Sequence, residues 1–257
     1  MFIDYYANHS RLSHLHPGEK AAFAFSHLLL VLVTKDIVLS IYVFLLMGIV
    51  AVCYAKIPLR TYGKLLFLPL LFLLFSLFPL LLSFAREGTE VEAIVRTASV
   101  SGWFIYVSYA SIHQAVLLCS SAYGAVSCMY FFILTTPFHG IATLLRLLRL
   151  PEVFIELTAV TYRFIFVFIE KAEETYKAQQ SRAGYSSLRS TFSSISALVA
   201  NLFIQTMREA KHVQMAVDAR GGNEEEVGQM IFYPIRRDLW LVILISFFIS
   251  CAVMYVF

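Results

Sequence analysis

Long apolar runs joined by short charged segments dominate this chain, and most of the runs have the length needed to cross a bilayer. Lys20 and Lys35 bracket AAFAFSHLLLVLVT. That run is short for a hydrocarbon core about 30 Å thick, but flanking residues and snorkelling lysines complete the crossing. Residues 37–55 form a second run, and residues 65–85 a third in which Pro69 and Pro79 are placed to kink a helix. Residues 97–145 contain no formal charge, only His113 and His139, and are long enough for one crossing with a long extension or for two. A last run, residues 239–257, starts directly after Arg236-Arg237-Asp238. The pattern predicts five or six spans.

The charges in the joints decide between these counts. Residues 56–64 carry Lys56, Arg60 and Lys64 with no acid and read as cytoplasmic, whereas residues 86–96 set Glu87, Glu90 and Glu92 against two arginines and read as external. The N-terminus is then inside. One crossing within 97–145 keeps Arg146, Arg149, Arg236 and Arg237, all close to span ends, on the cytoplasmic side. Two crossings would put them outside. Five spans follow, with the C-terminus external, and the first residues lack the basic-then-apolar order of a cleaved signal, so insertion through the chain's own spans is expected. The predicted fold class is an all-α polytopic membrane protein: spans in 1–145, a cytoplasmic region of long amphipathic helices in 146–238, and a last span in 239–257.

The polar region has its own helical pattern. Pro151 suits the first position of a helix, and residues 152–180 begin half apolar and end fully polar, as a helix leaving a membrane interface would. Gly184 ends it. Residues 187–219 place Leu188, Phe192, Ile195, Val199, Leu202, Met207, Ala210, Val213 and Val217 at helical spacing, and Gly221-Gly222 stop that helix. Each helix therefore runs into an arginine-bearing tripeptide, Ser181-Arg182-Ala183 or Ala219-Arg220-Gly221.

Composition agrees with a bilayer protein: 257 residues, 59% hydrophobic and 14% charged, with a net charge of only +3, which gives no basis for nucleic-acid binding. Cys53, Cys119, Cys128 and Cys251 lie in apolar surroundings without CxxC spacing and read as small hydrophobes, neither disulfides nor metal ligands. His14-Leu15-His16 with His9 lacks a third fixed ligand, so no metal site is assigned to this chain. Arg163, inside TYRFIFVF, is a costly place for a charge unless it pairs with a neighbour or reaches a polar interface. Gly102, Gly124 and the serines around Ser120 suit close helix approach. There is no catalytic cluster of the HExxH or Ser/Asp kind and no GxxxxGK[ST] phosphate loop, so neither an intramembrane enzyme nor an ATPase is supported.

The arginine tips admit two readings from chemistry alone. A cation beside helix C-terminal carbonyls contributes about 0.3–1 kcal/mol through the helix dipole. Alternatively, a guanidinium with five fixed donors grips carboxylates or carbonyls at the rim of a partner's groove.

The run TTPFHGIATLLRLLRLPEVFIELTAVTYRFIFVFIEKAEETYKAQQSRAGY, residues 135–185, closely resembles the transmembrane T component of energy-coupling factor (ECF) transporters of the CbiQ type. The resemblance continues through AVDARGG and takes in HPGEK at residues 16–20, covering nearly the whole chain. It implies a non-catalytic subunit in which Ala-Arg-Gly-like tripeptides end two coupling helices and dock into two ABC-type ATPase subunits. Ser181, Arg182 and Ala183 keep only the arginine of that form, whereas Ala219, Arg220 and Gly221 match it. The resemblance further implies a CbiM-like substrate-binding membrane S component as partner, with room for a small accessory subunit. It implies too that this chain binds no cofactor, ATP and Mg being held by the ATPases, and a prokaryotic plasma-membrane location; with the loop charges, the N-terminus and coupling region are expected to be cytoplasmic. Cobalt is the expected substrate, with nickel or a vitamin as alternatives within the same role and a non-transport scaffold as the reading from another class.

Overall fold

A computed structural model of the chain describes residues 2–81, 83–86, 93–100, 103–219, 221 and 237–256. Its elements, in order, are α1 (Phe2–His9), α2 (Pro17–Thr34), α3 (Ile37–Ile49) prolonged by a π-helical turn (Val50–Tyr54), α4 (Leu59–Leu81), β1 (Ser83–Arg86), β2 (Ala93–Val100), β3 (Trp103–Ser108), α5 (Tyr109–Thr135), α6 (Phe138–Leu147), α7 (Glu152–Ser181), α8 (Leu188–Ala219) and α9 (Arg237–Val256). The chain is helical and membrane-like, as expected. Among the described residues, three helical stretches are long and apolar enough to cross a membrane: Ile37–Tyr54, Leu59–Leu81 and Tyr109–Thr135. The polar start Glu19-Lys20 shortens the apolar part of α2, and in α9 the apolar stretch is Trp240–Val253.

Among the described residues of 97–145 one helix has crossing length, α5, in agreement with a single crossing there. The remainder departs from a purely helical reading. β1, β3 and β2 form a small antiparallel sheet in that order, with Ser83 opposite Tyr106 and Val100 opposite Trp103. The segments AIVRTASV and WFIYVS are rich in β-branched and aromatic residues, which fit a pleated surface, and a reading based on charge and hydropathy did not distinguish them from helix and joint. Glu87, Glu90 and Glu92, used to read that joint as external, lie outside the described residues.

Two compact units emerge, one of residues 1–144 with 232–257 and one of residues 145–231. In the first, α5 packs against α1, α2, α3 and α4, and α9 packs against α2 and α3. Phe23, Val31, Leu39, Val43, Met47, Phe131 and Leu134 form its core. Gly124 lets α5 approach closely: a Cβ there would lie 3.2 Å from both the Ser40 carbonyl oxygen and Val31 Cγ1. This is the small-residue contact expected of membrane helices, which lack a hydrophobic drive toward one another in lipid. Outward, α4 leaves Leu68, Phe72 and Phe75 more than 70% exposed, a face that only lipid or another apolar surface satisfies.

Local sequence explains several departures from regular helix. α4 begins at Leu59, six residues before the apolar run, because the charged joint winds into its first turns: the Thr61 and Tyr62 amides bond the Pro58 carbonyl at 2.9 and 3.1 Å. Pro69 and Pro79 lie inside α4 without ending it. Lacking an N–H, Pro69 cannot bond the Leu65 carbonyl, and the Tyr130 hydroxyl of α5 donates to that oxygen instead at 3.1 Å. In α3 the buried positions recur every four residues, Leu39, Val43 and Met47, and continue as Ala51 and Ala55. An α-helix with 3.6 residues per turn would rotate such a stripe about 40° per step. The looser π-helical turn at Val50–Tyr54 takes back part of that rotation and keeps both alanines in the core.

The motifs HPGEK and TTPFHG meet in this unit. His16 caps α2, its Nδ1 accepting the Gly18 amide at 3.1 Å, with Pro17 following at the first helical position. Lys20, 4% exposed, donates its ammonium to the carbonyls of Leu12 at 3.1 Å and Thr135 at 2.8 Å. A Cβ on Gly140 would lie 3.0 Å from Thr136 Cγ2 and 3.4 Å from Pro17 Cβ, so α6 also seats against the start of α2.

Candidate functional site at the arginine tips

The second unit is built on α7 and α8, which pack against each other. Pro151 stands just before the first residue of α7, with φ −55° and ψ 139°, one position earlier than expected. Ser187 caps α8, its Oγ accepting the Ser190 amide at 3.2 Å. The polar half of α7 carries ion pairs Lys171–Glu174 at 2.9 Å and Lys177–Glu173 at 3.6 Å. The Glu174 carboxylate raises the Lys171 pKa, by hydrogen bond first and by charge second. Leu202 is buried between the helices. Beside it lies a cleft of about 550 Å³, floored by Phe164, Phe168 and Leu202 and ending at Arg208, Glu209 and His212.

At the end of α7 the backbone folds into the Schellman pattern. The Ala183 amide donates to the Gln180 carbonyl at 3.1 Å, and the Gly184 amide returns to the Gln179 carbonyl at 2.9 Å. Arg182 is the C-cap, with φ −95° and ψ 18°, its amide bonding the Gln179 carbonyl at 3.1 Å. Ala183 takes the left-handed conformation, φ +56°. A glycine fits that position without strain, whereas an L-residue loses about 1–2 kcal/mol there. Ser181, Arg182 and Ala183 are all exposed, and Arg182 makes no ion pair among the described residues.

The second tip repeats this backbone feature. Ala219 is the last residue of α8, and Gly221 has φ +90° with its amide on the Asp218 carbonyl at 3.1 Å. Arg220 lies outside the described residues. In both tripeptides, then, the residue after the arginine takes left-handed backbone, glycine in one and alanine in the other. The tips also stand at opposite ends of one rod. The first folds against the N-terminal turns of α8 and the second ends its C-terminus, and a 32-residue helix is about 48 Å long.

Sequence reading missed the residues that fix the first tip. The Gln179 side chain donates Nε2–H to the Ser194 carbonyl of α8 at 3.0 Å and accepts the Tyr185 hydroxyl on Oε1 at 2.7 Å. The Gly184 carbonyl accepts the hydroxyls of Ser190 and Ser194, both at 2.8 Å. The Tyr185 ring lies 4.8 Å from that of Tyr176. Gly184 has no room for a side chain: a Cβ would lie 2.7 Å from Ser194 Oγ and 2.9 Å from the Gln179 carbonyl oxygen. The density of serines in GYSSLRSTFSSIS was the only hint, since hydroxyls crowded at a helix start serve turns and caps.

Other predicted residues fall elsewhere. Arg163 is exposed, its guanidinium carbon 5.8 Å from the Phe164 ring centre, within cation–π range. His9 bonds the Tyr5 carbonyl through Nδ1 at 2.9 Å, and His16 serves α2, so the N-terminal histidines have local structural work. Among the described residues no group of three His, Cys, Asp or Glu is placed to hold a metal ion. The four cysteines are free thiols.

Apolar crossing-length helices with lipid-ready faces, joined in sequence to a polar helix pair tipped by an arginine, define a polytopic membrane protein. The chain belongs to the CbiQ cobalt transport protein family, which matches residues 8–230, and is thus a membrane component of cobalt transport. It is 31% identical to an uncharacterized protein of Methanocaldococcus jannaschii, over 85% of this chain and 79% of that protein. It is 30% identical to a putative fused cobalt transport protein CbiMQ of Methanocorpusculum labreanum, over 66% of this chain but 28% of that longer protein. The cobalt transport protein CbiQ of Salmonella typhimurium is 22% identical, over 85% of this chain and 95% of that protein.

Proposed function

We propose that this chain is the energy-coupling transmembrane subunit of an ATP-driven importer of cobalt ion, transmitting the motion of two ATPase subunits to a substrate-binding membrane subunit. The observation that carries the reading is the exposed Arg182 at a capped helix end, in a tripeptide whose left-handed third residue recurs at Gly221. Tips separated by the length of α8, about 48 Å, exceed the roughly 30 Å diameter of a small domain, which suits contact with two separate ATPases. With no phosphate loop in the sequence, ATP and Mg belong to those partners, and this chain contributes no catalysis.

Closure of the ATPases around ATP would displace Arg182 and Arg220, and the helices behind them would carry that displacement to the substrate-binding subunit. The name of the M. labreanum relative, a fused CbiMQ, supports a CbiM-like protein as that subunit. The outward stripe of α8, Leu188, Phe192, Val199 and Phe203, each more than half exposed, gives an apolar membrane partner a surface to rest on. The basic joints orient the chain with its N-terminus and the α7–α8 unit in the cytoplasm.

The test is to purify the tagged chain with its partners and assay cobalt uptake in vesicles. Wild type is expected to bring down two ATPases and a multispan subunit, and Arg182→Ala with Arg220→Ala to lose assembly or uptake. Full uptake by the double variant refutes the role of the arginines. Competition by nickel or a vitamin, measured against cobalt in the same vesicles, fixes the substrate.

A further inference from the structure

We infer that Gln179 is the positioning residue that joins the Arg182 tip to α8, so that a push on the arginine moves the whole helix and is not absorbed in the turn. The inference rests on the coupling role proposed above for Arg182. Only residues 182–187 connect the two helices, and they include a left-handed alanine. A turn of that kind is compliant unless something spans it.

Gln179 spans it with every polar group it has beyond its own amide. Its carbonyl holds the amides of Arg182 and Gly184 at 3.1 and 2.9 Å, which sets the backbone from which the arginine projects. Its Nε2 reaches across to the Ser194 carbonyl at 3.0 Å, and its Oε1 accepts the Tyr185 hydroxyl at 2.7 Å. Ser194 answers from α8 with its own hydroxyl on the Gly184 carbonyl at 2.8 Å. One side chain therefore ties the backbone presenting the first arginine to the helix whose far end carries the second tripeptide. With that tie, displacements of the two tips are displacements of one body. Without it, the first tip turns on its loop.

The complex of this chain with its ATPases and substrate-binding subunit, in vesicles, tests this through the number of cobalt ions taken up per ATP hydrolysed. Gln179→Glu keeps the size and the Tyr185 contact but replaces the donor to Ser194 with an acceptor. Gln179→Leu removes both side-chain bonds, and Tyr185→Phe removes one. The expected result is normal assembly and ATP hydrolysis in all three, with cobalt per ATP reduced roughly five- to tenfold in the two Gln179 variants and less than twofold in Tyr185→Phe. A ratio within twofold of wild type in both Gln179 variants overturns the inference. So does a parallel loss of assembly, hydrolysis and uptake, which marks a role in folding only. The double arginine variant separates this outcome from failure of the wider reading. If it couples normally, the arginine role is wrong; if it fails while the Gln179 variants couple normally, only the role of Gln179 is wrong.

Discussion

Adjacent substitutions at the first tip should act in opposite directions, because Ala183 and Gly184 occupy positions with opposite needs. Ala183 sits at φ +56°, where a Cβ is strained, while Gly184 is confined by Ser194 Oγ and the Gln179 carbonyl oxygen. Ala183→Gly relieves about 1–2 kcal/mol of left-handed strain and gives back about 0.5–1 kcal/mol in unfolded-chain entropy. The net gain is roughly 0.5–1 kcal/mol, or about two- to fivefold in the local opening equilibrium. Gly184→Ala forces a Cβ to within 2.7 Å of Ser194 Oγ and weakens the hydroxyl bond from Ser194 to the residue 184 carbonyl. Overpacking and a lost hydrogen bond together cost about 2 kcal/mol or more, over tenfold in opening. Hydrogen-exchange protection of the amides at 182–184, corrected for intrinsic rates, reads both changes in the same turn. Faster exchange in Ala183→Gly, or unchanged exchange in Gly184→Ala, would refute the capping geometry.

Two further outcomes test the first unit. Lys20→Met removes the donor from the buried Thr135 carbonyl, while the half-buried Leu12 carbonyl keeps the Leu15 amide, and should lower stability by about 1–3 kcal/mol, seen as earlier thermal unfolding in detergent; an unchanged transition contradicts the buried contact. Gly124→Leu should separate α5 from Val31 and the Ser40 backbone at a cost of about 2 kcal/mol, and the same melt checks it.

The spans and the paired tips could be read from sequence because each rests on a local rule. A bilayer demands long uncharged runs, so α3, α4 and α5 announce themselves, and helices that stop at an arginine and a small residue show their ends at 181 and 219. The sheet could not be read in this way, because its β-branched and aromatic runs satisfy the same hydropathy count as a helix, and Arg86 and Arg96 read equally well as charges of a joint. Nor could the Gln179 corner. Its bonds join positions 15 and 6 residues apart through side-chain amide, hydroxyl and backbone, and no hydrophobic period reports such pairings. The left-handed backbone of Ala183 was hidden for a different reason: alanine is a strong helix former, and only the Schellman bonds around it force it out of the helical region.

The seat of Lys20 also sets an order of events during synthesis. Of the two carbonyls that receive its ammonium, that of Leu12 is already made, but that of Thr135 is made 115 residues later. At about 5–20 residues per second, roughly 6 to 23 seconds pass before that acceptor exists. Until then Leu12 is the one protein acceptor of the pair, and the rest of the ammonium needs water. The start of α2 therefore acquires its buried position only after α5 has been made, and the last turn of α5 completes an assembly that the opening residues of the chain could not complete for themselves.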